Sequence, residues 1–343
     1  MIIRTKAPLR ISFAGGGTDV PPYPELVGGC VLNATIDNFA WGSLRTRKDN
    51  LIKLESVDLD LVLEYSVRDE LTFDGRLDLV KAAIKRLGAQ NGQGFEMFLH
   101  SDAPPGSGLG SSSALMVALV GLVREYMNVP LTDYEIANLA YQIEREDLAI
   151  RGGLQDHYAA TFGGFNFTEF HKDRVIVNPL RISPDTLNEL EHNLLLCYTG
   201  TTRRSDRIIE DQTSRFELGN RETLDALSMQ KQLAVEMKNA LLRRRLDEFG
   251  DLLHSAWQAK KRMSTKISNS MIDELYEEAC KNGALGGKIT GAGGGGYILF
   301  YCSFEKKHKV AEQMKKMGAI PTDFAFESKG VQTWRLQEAR FGN

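Results

Sequence analysis

Features by which chains often declare their class are scarce here. Cysteine occurs four times in 343 residues, as Cys30, Cys197, Cys280 and Cys302, with no Cys-x-x-Cys pair and no nearby histidine grouping. Such spacing argues against a disulfide scaffold or a zinc site and for free thiols in a reducing compartment. Long apolar runs are missing too. Leu115 to Val123 is the longest, about half of the ~20 residues a membrane span needs. The first residues, Met1 to Pro8, lack the apolar core of a signal peptide, so a cytoplasmic location and no membrane partner are expected. Nor does one sign of charge dominate. Lys and Arg total 42 against 45 Asp and Glu, a net charge of -3, which gives no footprint for nucleic acid. A small anionic ligand needs only a local basic pocket. Internal repeats, low-complexity tracts and long linkers are not apparent.

Glycine, in contrast, is plentiful, with 32 residues, and three stretches of it are informative. One is Pro104-Pro105-Gly106-Ser107-Gly108-Leu109-Gly110-Ser111-Ser112-Ser113-Ala114. It follows a strand-like Phe95–Leu99 and runs into an apolar helix that should end near Asn128 and Pro130. Glycines let backbone approach an anion closely, and first-turn N–H groups with the helix dipole favour it. Serine hydroxyls there can donate to phosphate or ligate Mg2+. The stretch is not a Walker A loop and lacks dinucleotide-fold spacing. Taken alone, it is equally a tight turn with a helix cap. A second stretch is the corner Ala14-Gly15-Gly16-Gly17-Thr18-Asp19. In the third, around Thr290 to Gly296, six glycines fall within ten residues. Glycine is entropically costly, so close approach to a ligand or another loop explains that density better than turn chemistry does.

Around these stretches the pattern predicts strands through residue 75 and a helix at Leu77–Leu87. Thr132 and Glu135 have capping-box spacing for a helix expected to run to about Ile150. Strands are predicted over 164–168, 174–177 and 193–198, and helices from Ser205 to Met263 with breaks near Gly219 and Gly250. A closing unit carries helices at 272–281 and 306–317, a strand at 297–301, and strands near Ala325 and over 331–336. This order suggests α+β layers and not a doubly wound sheet.

Pro104-x-x-x-Gly108-Leu109-x-Ser111-Ser112, with the other two glycine stretches in order, resembles the GHMP kinases over nearly the whole chain. That resemblance implies a two-domain fold, an N-terminal domain like ribosomal protein S5 domain 2 over residues 1–185 and a ferredoxin-like C-terminal domain over 186–343. It implies ATP and Mg2+ as cofactors. Pro105, Gly106, Ser107, Gly108, Gly110, Ser111, Ser112 and Ser113 would cradle the nucleotide, and Ser112 and Glu144 would hold the metal. Asp156, in Gly152-Gly153-Leu154-Gln155-Asp156-His157, resembles the aspartate that serves as base toward a sugar's anomeric hydroxyl, with Arg10 as its partner. Read without the family, Glu144 is a solvated helix carboxylate, Asp156 a helix N-terminal one, and Arg10 a surface arginine.

Gly17, Thr18 and Asp19 stand where galactokinases carry sugar-binding residues, but Gly16 and Gly17 replace a Glu-His pair, which argues against galactose. Ala7-Pro8-Leu9-Arg10 through Asp19, and Tyr198 through Ser205, look most like the D-glycero-D-manno-heptose 7-phosphate kinases. Arg203, Arg204 and Arg207 are then candidates for the distal phosphate, and Gly293 and Gly294 for closing on substrate. The implied reaction phosphorylates O1 of heptose 7-phosphate, in a monomer or homodimer. The alternatives are a fucokinase-like enzyme acting on an unphosphorylated sugar and a non-catalytic regulator of the same fold.

Overall fold

The computed structural model describes residues 1–202 and 205–336. Its first sheet is begun by β1 (Ile2–Ala14), β2 (Gly29–Thr46), β3 (Leu51–Ser56), β4 (Leu61–Ser66), β5 (Phe95–Ser101), β6 (Phe165–Phe170) and β7 (Val175–Pro179). A second sheet holds β8 (Leu194–Tyr198), β9 (Ala284–Ile289), β10 (Tyr297–Cys302) and β11 (Ile320–Thr322), in the order β11-β8-β10-β9 and antiparallel throughout. The chain then returns, and β12 (Gln332–Leu336) completes the first sheet as β12-β1-β2-β5-β3-β4. In order, the helices are α1 (Tyr23–Leu26), α2 (Asp78–Leu87), α3 (Ser111–Met127), α4 (Asp133–Gln142), α5 (Gln155–Phe162), α6 (Pro184–Asn193) and α7 (Asp206–Glu217). They continue with α8 (Arg221–Leu242), α9 (Leu246–Met263), α10 (Ser270–Lys281) and α11 (Lys307–Lys316).

β2 spans 18 residues, long enough to serve two partners along one edge: Gly29–Ala34 pair with β6, Ala40–Thr46 with β5. β1 lines its other edge, with register shifts at Pro8/Leu9 and Ser12/Ala14. Proline has no N–H to give a ladder, so an irregularity is where a strand tolerates it. β12 pairs only with Ile2–Lys6 of β1. Beyond that point Arg10 donates its backbone N–H to Leu109 O at 3.0 Å, so the central glycine loop takes the place of a neighbouring strand.

The apolar helix α3 is buried along nearly its whole length and packs on β1, β2, α2, α4 and α5. Its core runs on into the second half of the chain. Phe13 of β1 stacks on Phe165 (5.9 Å between ring centroids) and meets Phe249 of α9 edge-on (5.3 Å). Burial of such rings, a few kcal/mol apiece, joins the two halves.

The capping box is present, with Thr132 accepting from the Glu135 N–H and the Glu135 carboxylate accepting from the Thr132 N–H. The helix after it does not continue regularly to Ile150: past Gln142 it widens into a π turn, Ile143–Asp147. Gly250 does not break a helix either. It lies inside α9, where a Cβ would come within 2.6 Å of the Tyr301 ring, and Gly286 on β9 abuts its carbonyl. The break falls at residues 243–245, with Arg244 at φ +59. Near Ala325 there is no named strand, only a bridge between Ile36 and Phe326. Helix α6 and strand β11 were not anticipated. The four cysteines are free thiols, and among the described residues no helix is long and apolar enough to cross a membrane.

Candidate active site

Two of the glycine stretches interlock. Gly106, Gly108 and Gly110 all have positive φ, which glycine alone adopts cheaply. A Cβ on Gly108 would lie 2.6 Å from Thr290 O, one on Gly291 2.7 Å from Gly108 Cα, and one on Gly296 2.2 Å from Ser107 O. Tyr297 donates its N–H to Ser107 O at 2.9 Å. The loop between β9 and β10 is therefore keyed, backbone against backbone, into the loop before α3. No side-chain oxygen caps α3, and no acidic residue occupies its first turn. Its N–H groups and positive dipole end thus open onto a cleft of about 190 Å3 shared by both halves of the chain.

On one wall Arg10 grips Asp156 with two hydrogen bonds, Nε to Oδ1 at 2.7 Å and Nη2 to Oδ2 at 2.9 Å. Its third contact, Nη1 to Gly108 O at 2.6 Å, ties the pair to the glycine loop. Arg10 is 4% exposed and Asp156 19%, so the carboxylate is the member that faces the cleft. A Cβ on Gly110 would stand 3.3 Å from the Asp156 carboxyl, which is the space that glycine leaves.

Glu144 forms the second centre. Ser112 donates to its Oε1 at 2.6 Å and Ser113 to its Oε2 at 2.8 Å. His157 Nε2 lies 2.6 Å from Oε2, and Arg145 Nη1 3.4 Å from Oε1. Burial alone would raise this carboxyl, but Arg145, His157 and the Ser112 hydroxyl outweigh it and hold Glu144 well below the usual carboxylate range. Glu144 continues the buried stripe of α4, Ile136, Ala137, Ala140 and Ile143, so the helical repeat itself carries it inward, and the π turn follows at that point; π turns inserted in helices are frequent at functional sites.

Asp19 closes the corner between β1 and β2, accepting from the N–H groups of Gly17 (3.0 Å) and Gln155 (3.1 Å). Burial, then the charge of Asp156, push its pKa up. Lys260 of α9 reaches in from the second half and donates to Gly291 O. Burial, then Arg10, lower its ammonium to about 8, against the pull of Asp19 and Asp156. Lys288, buried below, donates to Ser12 O at 2.6 Å.

The cleft gathers Arg10, Gly17, Asp19, Gly106, Gly108, Gly110, Ser111, Ser112, Ser113, Glu144, Asp156 and Gly293. Other expected residues turn away. The Thr18 hydroxyl lies 2.8 Å from Gly15 O and 3.0 Å from Cys30 O, either of which takes its one proton, and accepts from Cys30 N–H, so it is spent on the corner. Ser107 is fully buried, with its hydroxyl toward Leu109 N–H. Pro105 is exposed outside the cleft, and Gly294 is bonded to Ile267 O. Arg203 and Arg204 lie outside the described residues. Sequence reasoning missed Lys260, and assigned no role to His157 or Arg145. Each is recognisable only once another element is packed against it.

Comparison with known proteins identifies the family and the fold. Residues 78–164 match the GHMP kinases N terminal domain, and residues 237–320 match the GHMP kinases C terminal description. A Campylobacter jejuni D-glycero-alpha-D-manno-heptose 7-phosphate kinase is 42% identical over 97% of this chain and 99% of its own. The chain belongs to the GHMP kinases. Among solved structures, a D-glycero-D-manno-heptose 1-phosphate kinase from Bacteroides thetaiotaomicron superposes with a TM-score of 0.83 at 33% identity, covering 98% of this chain and all of the other. An L-fucokinase/L-fucose-1-P guanylyltransferase of Bacteroides fragilis is 30% identical over 92% of this chain, but over 36% of its own length. The two-domain GHMP kinase fold, the sugar-kinase activity and the mixed α and β layers expected from the sequence are thereby borne out.

Proposed function

We propose that this GHMP kinase moves the γ-phosphoryl group of ATP to the anomeric O1 of D-glycero-D-manno-heptose 7-phosphate, releasing ADP and the 1,7-bisphosphate. The observation that carries the chemistry is the two-pronged Arg10–Asp156 pair held against the glycine loop. Phosphoryl transfer asks the protein mainly for positioning and charge, with one group to take the acceptor proton. Asp156, gripped by a buried guanidinium and open on one side, orients the hydroxyl and accepts that proton at a carboxylate oxygen. Arg10 holds the carboxylate in place and offsets charge near the transferring group.

The α3 N-terminus, with the backbone of Gly106 to Gly110 and the Ser111 and Ser112 hydroxyls, holds the phosphates of ATP. Ser112 and Glu144 suit Mg2+: they are hard oxygen donors 2.6 Å apart at the cleft. Among the described residues no three His, Cys, Asp or Glu side chains could hold a metal ion by themselves, so an ion held by Ser112 and Glu144 would need phosphate and water oxygens as its remaining ligands. Bound there, the ion neutralises charge that builds on the phosphates. Arg203 or Arg204 is retained as the contact to the distal phosphate.

The substrate rests on the similarity to the C. jejuni heptose 7-phosphate kinase. The named relatives differ in which heptose phosphate they cite, so the test must separate the two. ADP release would be followed with Mg-ATP and heptose 7-phosphate, heptose 1-phosphate, free heptose or L-fucose, with phosphorus NMR on the product. Turnover of the 7-phosphate with a new anomeric phosphate signal is expected. Preference for L-fucose would establish the fucokinase-like alternative, and a product without an anomeric phosphate would overturn the assignment to O1.

A further inference from the structure

Gly16 is a glycine that the backbone does not require. Unlike its neighbours Gly15 and Gly17, it is not among the residues with positive φ, and a Cβ built on it meets no atom closer than 3.5 Å. What such a Cβ would meet is a ring of polar atoms: Ser12 Oγ at 3.5 Å, Gln155 Nε2 at 3.7 Å and Lys260 Nζ at 3.9 Å. All three side chains are more than nine-tenths buried, and among the described residues Ser12 Oγ and Gln155 Oε1 have no hydrogen-bond partner. Buried polar atoms are nearly always satisfied, so unpaired ones on two side chains that meet over Gly16, itself on the cleft wall, mark a place where a ligand supplies the partners.

The recess lies beside the reacting centre. Gln155 directly precedes Asp156 in the first turn of α5, and its N–H holds Asp19. A hydroxyl donates once and accepts twice, which fits an ammonium, a serine hydroxyl and an amide better than an anion does, because Gln155 Oε1 needs a donor. We propose that the recess over Gly16 binds the sugar hydroxyl on the carbon next to the reacting one, with Ser12, Gln155 and Lys260 as its partners, and that glycine at 16 is what keeps it open. This deepens the kinase reading above and rests on it. It adds a specificity determinant, for which Gly16 supplies space and no side chain.

Gly16→Ala tests the idea with little risk to folding, since its methyl group makes only ordinary contacts. The panel fixes which sugar the wild-type chain turns over; that sugar and its counterpart lacking the neighbouring hydroxyl are the probes. The expected result is a tenfold or larger rise in KM for the sugar, with KM for Mg-ATP and the melting temperature unchanged. The deoxy counterpart should be handled equally by both chains, because the variant has no hydroxyl contact left to lose. Unchanged KM for the sugar, or an equal deoxy penalty in both chains, overturns the recess whichever sugar is used. Inactivity of the wild-type chain on heptose phosphates overturns the substrate assignment alone.

Discussion

Asp156 and Glu144 are carboxylates 12 residues apart that reach the same cleft, yet the fold treats them differently. Glu144 is enclosed, with both oxygens engaged by serine hydroxyls, an imidazole and a guanidinium. Among the described residues Asp156 is bonded to one charged side chain, Arg10, and it keeps an open side. A carboxylate faced by donors at both oxygens can hold charge and position, and can exchange the Ser112 contact for an ion, but is poorly placed to receive a proton. One held firmly from behind can do so. On the function proposed above, the contrast would give the standing charge of the site to Glu144 and the proton to Asp156.

The sharpest way to break that division is Asp156→Asn. It removes the acceptor and strands the buried Arg10, and kcat should fall about 10^3-fold, within the range for a lost general base. Mg-ATP affinity should hold, and a kcat reduced less than tenfold would return Asp156 to a structural role. Glu144→Gln should cost less, about 10^2-fold in kcat/KM, with a raised Mg2+ requirement in titrations of initial rate. It also separates the pair by pH. A carboxyl whose folded pKa is depressed contributes stability fully above its unfolded value, and loses that contribution as pH falls below the ordinary carboxylate range. Melting temperatures of Glu144→Gln should therefore decline less between pH 5 and 3 than those of the wild-type chain.

The smallest effect on turnover is expected at Lys260, which feels Asp156 and Asp19. Its folded pKa of about 8 lies below the model-compound value of 10.5, so the unfolded chain binds the extra proton between those limits and wild-type stability rises with pH across them. Replacing it by methionine should stabilise the protein by about 3 kcal/mol at most at pH 7, with the advantage shrinking from pH 8 to 10.5, while the sugar KM rises. Loss of stability at pH 7 would show that its bond to Gly291 O outweighs the burial of its charge.

Much of this was legible before any coordinates. The interlocked glycines announce themselves, since only close backbone approach explains so many in so few residues, and the Thr132–Glu135 cap is a local device written locally. Arg10 was harder: β1 is buried on both faces past Ala7, so alternation cannot say which way a side chain points. The π turn at Glu144 leaves no mark on a helical repeat, and Gly250 looks like a breaker because its partner, Gly286, is 36 residues away. Helix α6, by contrast, carried a readable signal, Ser183 as cap with Pro184 in the first turn, and was overlooked. Thr18 and Lys260 trade apparent roles for one reason. Whether a polar side chain faces a ligand or its own backbone is decided by elements far along the chain.

The strand that carries Arg10 is among the earliest made, yet its outer edge is closed by β12, some 330 residues later. At usual synthesis rates of about 5–20 residues per second, that edge waits some tens of seconds for its partner on the ribosome. Until then the first sheet presents unpaired N–H and C=O groups, the condition in which strands join the wrong neighbour. Arg335 of β12, bonded to Glu125 and Asn128 at the end of α3, then works as a latch, fastening the last strand to the helix whose other end opens on the cleft.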